Sequence, residues 1–223
     1  IYVYYFRNHY FKNYITIFAK YLQNYASIHQ TNFAMKKYFT PDPNTIIHFS
    51  QLNNTHEPYA ACFPTSLAMA LRNNGYKYND EAKGLDDHIF ELAATEKYRD
   101  IANKEGIPAN AKLHQYARIM CELANDLMAS QNIKKFAKKV PYNIATVKQQ
   151  IDQGNMMVAG TYFTNYGHMV CISGYTEDTV IINDPYGNIN ELYQFKDSNK
   201  LDDGDKVVLD KKLIHKLSFL IVF

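Results

Sequence analysis

The 223-residue chain has no tryptophan, and only three cysteines, nine glycines and seven prolines. The cysteines, Cys62, Cys121 and Cys171, lie far apart, and no two form a CxxC pair. That spacing excludes a zinc ribbon, a thioredoxin-like redox motif and the disulfide framework of a small secreted domain. No run of apolar residues is long enough to cross a bilayer, so no integral membrane segment is expected. Charge of neither sign prevails: 24 Lys and Arg against 22 Asp and Glu leave a formal net charge of +2. So small a charge gives no global field to recruit nucleic acid, and no nucleic-acid partner is expected. The one dense basic run, KKFAKK (residues 134–139), reads as a solvated helix face or loop. His88 and Glu91 sit three apart on a helical stretch, but without a second pair they make no metal site. Neither a metal nor a cofactor is expected.

Hydrophobic residues make up 47% of the chain and aromatics 14%, with 19 Tyr and 13 Phe, enough for a sizeable core. The length suits one large domain, or one domain plus an extension. In residues 10–27, Tyr14, Phe18, Tyr21 and Tyr25 recur at helical spacing, which predicts an amphipathic helix. Such a helix packs on the main core or offers a partner or oligomer contact. Pro41 and Pro43 break the pattern. We place a boundary there, with an aromatic-rich helical N-terminal extension over 1–43 and the main domain over 44–223. Residues 46–51 read as a short strand or extended segment. Helices are predicted over 85–104 and 111–130, and a third over 143–153, stopped by Gly154. Strand-like runs follow at 156–163, 168–175 and 179–185, joined by short turns as in an antiparallel meander, and SFLIVF ends the chain. Helices come first and the sheet second, so the fold class is α+β.

The stretch with chemical promise is ACFPTSLAMALRNNG, residues 61–75. Pro64 suits a first helical turn, Leu67, Ala68 and Leu71 recur at helical spacing, and Gly75 is a natural stop. Cys62 thus stands at a helix N-terminus, where unpaired N–H groups and the dipole favour a thiolate. Downstream, His168 opens a strand directly after Gly167, and Asp184 ends the next strand, in NDP. A tight hairpin brings the start of one strand beside the end of its antiparallel neighbour, so imidazole and carboxylate can meet. A carboxylate on one ring nitrogen fixes the tautomer and leaves the other nitrogen for the thiol. Acyl transfer also needs donors aimed at a developing oxyanion. The Cys62 N–H is one candidate, and the side-chain amide of Gln51 another. Singly, each residue is ordinary: a buried core cysteine, a satisfied strand histidine, a turn aspartate. Their order and local contexts together point to a nucleophile, a base and an orienting group.

The set Q…CFPTSLAMAL…GHMVCISGY…VIINDPYGN resembles the bacteriocin-processing peptidases and their relatives among the papain-like cysteine peptidases. Gln51, Cys62, Pro64, Ser66, Met69, His168, Gly174, Asp184 and Pro185 match, within about residues 46–188. The resemblance implies a papain-like fold, with a nucleophile helix packed on a C-terminal antiparallel sheet. It implies Cys62 as nucleophile, His168 as general base and then acid, Asp184 as orienter, and Gln51 in the oxyanion hole. The implied activity is cleavage of a peptide or amide bond through an acyl-enzyme. A peptide, a protein or a peptidoglycan stem peptide would be the substrate. The same residues would serve a transglutaminase-like acyl transfer, and the same scaffold could persist as an inactive binding module. The family's glycine after the cysteine is Phe63 here, which argues for a different substrate cleft. A helical insert over about 84–140 argues the same way, and residues 1–40 have no recognised counterpart. The Lys-, Asn-, Tyr- and Ile-rich composition fits an AT-rich genome, and a bacterial cell-surface, secreted or phage-associated setting is favoured over the cytoplasm. The chain begins at Ile1 rather than Met, which leaves room for sequence upstream.

Overall fold

The computed structural model describes residues 37–39, 42–80, 83–193 and 203–223. The predicted aromatic helix over 10–27 lies outside these residues. A compact unit begins at Lys37. Its helices are α1 (Cys62–Asn73), α2 (Leu85–Ala93), α3 (Glu96–Lys104), α4 (Ala117–Ser130) and α5 (Ile144–Asp152). Its strands are β1 (Lys37–Phe39), β2 (Lys138–Pro141), β3 (Met157–Thr161), β4 (His168–Thr176), β5 (Val180–Asn183), β6 (Val207–Val208) and β7 (Leu217–Val222).

All seven strands join one sheet in the order β2-β7-β3-β4-β5-β6, with β1 pairing β4. Every pairing is antiparallel. The meander β3–β4–β5 follows the sequence reading. The last strand does not continue it but runs between β2 and β3. Because β1 pairs with β4, Lys37–Phe39 belong to this sheet although they precede the boundary expected near Pro43.

The sheet is covered on both faces, and side chains that alternate along each strand divide between two cores. Val158, Cys171 and Ile221 pack with Leu67 and Leu71 of α1 and with α2 and α4. Met157, Ala159, Val170, Ile172 and Leu220 pack with Val147 and Ile151 of α5 on the other face. Double burial explains why β3 and β5 read as unbroken apolar runs rather than as alternating ones.

Several element boundaries differ from expectation. Residues 46–51, read as a short strand or extended segment, form no strand: the chain passes through an extended Ser50 into a 3-10 turn at Gln51–Asn53. The segment is held by Asn73 of α1, whose side chain accepts from Ile47 N–H and donates to Ile47 O. The single helix expected over 85–104 is two, α2 and α3. Thr95 breaks it: its backbone is extended and its hydroxyl donates back to Leu92 O, a local bond that competes with the helix ladder. The helix expected from 111 starts only at Ala117, because Tyr116 is extended and residues 113–115 form a 3-10 turn. The basic run, read as a solvated helix face or loop, is loop over 134–137 and edge strand from Lys138.

Candidate active site

The helix α1 starts at Cys62, and no side chain caps it. Its first-turn N–H groups therefore have no competing side-chain acceptor. Ser66 lies one turn on, on the same face as Cys62. Its hydroxyl donates to Met169 O at 3.0 Å, which ties α1 to β4 one residue past His168. At the other end of α1, the Asn74 side chain donates to Met156 O and accepts from Met156 N–H. The helix α1 is thus tied to β4 at one end and to the start of β3 at the other.

His168 and Cys62 line an open cleft of about 1120 Å³. Cys62 is half-buried, whereas Cys121 and Cys171 are buried. Burial pushes both of those thiols up, Cys121 to about 11. Cys62 is therefore the accessible thiol. His168 is buried, with Nε2 2.7 Å from Asp184 Oδ1. Burial alone would drive the imidazole neutral. The Asp184 carboxylate beside it, and a hydrogen bond with Cys62, outweigh burial and raise its pKa. With Nε2 turned to Asp184, Nδ1 is the nitrogen available to the thiol.

Asp184 has no exposed surface. Its Oδ1 also accepts from Tyr186 N–H at 2.9 Å, and its Oδ2 accepts from the Tyr193 hydroxyl at 3.0 Å. Its backbone donates to Gly204 O, and its carbonyl lies 3.1 Å from His48 Nε2. The rings of Tyr193 and Tyr186 meet His168 edge-on, at 5.8 and 6.3 Å. Burial and the charges of Asp184 and Cys62 push the Tyr193 phenol far up, so it stays a donor. Leu192 and Tyr193 both adopt φ 53, a left-handed conformation that is uncommon for such residues. Sequence reading missed Tyr193, because ELYQF carries no motif and the residue reaches Asp184 only through this irregular turn.

The structure brings Cys62, His168 and Asp184 together. Gln51 is placed beside them but otherwise engaged. Its N–H donates to Pro185 O at 2.8 Å, which anchors it to the Asp184–Pro185 corner. Its side chain is buried, and Nε2 donates one hydrogen to Pro58 O at 2.8 Å. Oε1 has no partner, and the side chain is not part of the cleft wall. The second amide hydrogen remains unspent. Phe63 is 1% exposed and belongs to the helical core, lining the cleft from that side. His88 and Glu91 do not meet over a shared ion: His88 stacks on Tyr78, and Glu91 pairs with His56 and Lys83. Among the described residues no group of three His, Cys, Asp or Glu could hold a metal. No helix among them is long and apolar enough to cross a membrane.

A model of the Peptidase_C39-like family matches residues 43–202, well over half of the chain. No curated protein matches it. Among solved structures, the chain is similar to a Bacillus anthracis protein described as a C39-like peptidase. The two share 16% identity at a TM-score of 0.43, over 84% of this chain and 98% of the other. The chain belongs to the Peptidase_C39-like family and is a cysteine-peptidase-like module of the papain-like group.

Proposed function

We propose that the protein is a thiol hydrolase that cleaves a peptide or amide bond, with Cys62 as nucleophile. The observation that carries this reading is the continuous relay of Cys62, His168 and Asp184 opening on a cleft, with His168 Nε2 2.7 Å from Asp184. Cys62 Sγ attacks the substrate carbonyl carbon as thiolate. The developing oxyanion is met by the Cys62 N–H; the Gln51 amide, buried behind the cleft wall and bonded to Pro58 O, would have to turn to add a second donor. His168 gives its proton to the leaving amine as the C–N bond breaks, which leaves a thioester on Cys62. It then takes a proton from water, which attacks the thioester and frees the acid and the thiol. Asp184 holds the ring and offsets the imidazolium charge throughout. A peptide, a protein or a peptidoglycan stem peptide would supply the carbonyl.

Iodoacetamide labelling of the folded protein tests the nucleophile. Cys62 should alkylate at least ~100-fold faster than Cys121 or Cys171, because reactivity follows thiolate fraction and access. His168→Ala should slow that reaction near neutral pH, and Cys62→Ala should abolish hydrolysis. Equal labelling of the three cysteines would overturn the assignment. Products formed with an added primary amine would separate hydrolysis from acyl transfer.

A further inference from the structure

Six aromatic side chains contribute to the cleft wall, Tyr59, Phe63, Tyr116, Tyr162, Tyr166 and Phe219. Among the described residues, its one fixed charge outside the Cys62–His168 pair is Lys139; no Asp, Glu or Arg lines it. Three other cations are engaged elsewhere. Lys112 is paired with Glu57, Lys135 donates to Asn74, and Arg118 is held by Glu105 and Glu122. Lys139 is exposed and has no carboxylate partner among the described residues. Its Nζ instead lies 4.3 Å from the centroid of the Phe219 ring. A ring face attracts an ammonium without consuming its N–H donors.

Two features position this charge. Lys139 stands on β2 opposite Ile221 of β7, so its backbone is held by a ladder. Phe219 stands opposite Gly160 of β3, where any Cβ would overlap the ring. The missing side chain lets the ring lie on the strand beneath the ammonium. We propose that Lys139 is a specificity residue that selects substrates carrying a carboxylate, as an acidic side chain or a free chain end. This rests on the thiol-hydrolase reading above. The substrate would lay its chain along the aromatic wall, with the scissile carbonyl at Cys62 and the carboxylate on Lys139 Nζ.

The test uses four families of fluorogenic peptides on the full chain: Glu scanned through a neutral sequence, the Gln counterparts, and each with a free or an amidated C-terminus. The best Glu or free-acid peptide should exceed its neutral counterpart in kcat/KM by ~2- to 5-fold at low salt, the range of a single exposed ion pair. That ratio should shrink as salt rises. It should fall towards one in Lys139→Gln and invert in Lys139→Glu. Which pair of peptides carries the ratio tells a side-chain carboxylate from a chain end. Anisotropy of the same peptides with Cys62→Ala reads binding without turnover. Acidic preference in binding without turnover by the native protein would retire the hydrolase reading and keep the subsite. Turnover with no acidic preference, or a ratio unmoved by Lys139→Gln, would overturn the subsite and leave the hydrolase reading standing.

Discussion

Asp184 accepts from His168 Nε2, from the Tyr186 amide and from the Tyr193 hydroxyl, so neither carboxylate oxygen is free to turn away. The consequence falls on His168. Its pKa is raised in the folded protein because the Asp184 charge and the Cys62 contact outweigh burial. A raised histidine keeps its proton as pH climbs above the ordinary range near 6.5 and loses it only at the elevated value. The imidazolium available to protonate the leaving amine should therefore persist into alkaline solution. Asp184→Asn removes the largest raising partner. The alkaline limb of kcat/KM should then move to lower pH, alongside a loss of ~10-fold or more in rate as the ring loses its orientation. A limb that stays in place would show that Asp184 does not govern His168. At this scale the sequence was informative for Cys62, His168 and Asp184, whose types and contexts are chemical. It was silent on Tyr193, whose role depends on a left-handed turn that no residue type announces. At Phe63 it argued for a different substrate cleft, and the structure packs that ring in the helical core along one side of the cleft.

Elements bring these residues together by a few specific ties. The helix α1 presents Cys62 and Ser66 on one face, and the Ser66 bond to Met169 O sets that face against β4. The match at Ser66, read from sequence only as part of a motif, thus has a mechanical meaning. So do Asn73 and Asn74, at the end of α1. Asn73 clamps the segment leading to Gln51, and Asn74 clamps the start of β3. On the sheet, the contact of Gly160 with Phe219 is the tightest demand: a Cβ there would overlap the ring. Gly160→Ala should destabilise the protein by ~1–3 kcal/mol, as overpacking usually does, in urea unfolding. Adding Phe219→Leu, a smaller and more pliant side chain, should recover part of the loss. Equal stability of Gly160→Ala and the native protein would show that the ring moves away without cost. Helix limits were less legible. Thr95 and Tyr116 end or delay helices through backbone conformations that apolar periodicity does not register.

For the whole molecule, the insert predicted over 84–140 packs against the loop that leads to Cys62. Asp86 accepts from Asn54 and Thr65, and Asp87 accepts from Thr55 N–H. Within this unit His114 is buried, stacked on Phe90, and its Nε2 has no hydrogen-bond partner. Burial pushes it down to about 4, against a weaker upward pull from Glu57, whose Oε2 lies 3.9 Å away. A depressed histidine contributes stability above its unfolded value near 6.5, and that contribution is lost as pH falls towards the folded value. Between those limits global stability should drop by up to roughly 3 kcal/mol from this group. Urea midpoints at pH 7 and pH 4.5 should differ more for the native chain than for His114→Phe. An NMR titration of His114 gives the same answer if that variant fails to fold. A normal histidine titration would remove the effect.

The sequence by itself determined the α+β class, the helix that carries Cys62 and the hairpin that joins His168 to Asp184. Each of these is local: a helix start, a strand start after a turn, and a neighbouring strand end. The tertiary structure decided what depends on distant chain segments. It placed the last strand between β2 and β3, brought Tyr193 to the far oxygen of Asp184, turned Phe63 inward and set Lys139 over Phe219 in the cleft. Those outcomes follow from packing two cores against one sheet. Periodicity along the chain reports which faces are apolar, and it carries no information on which faces meet.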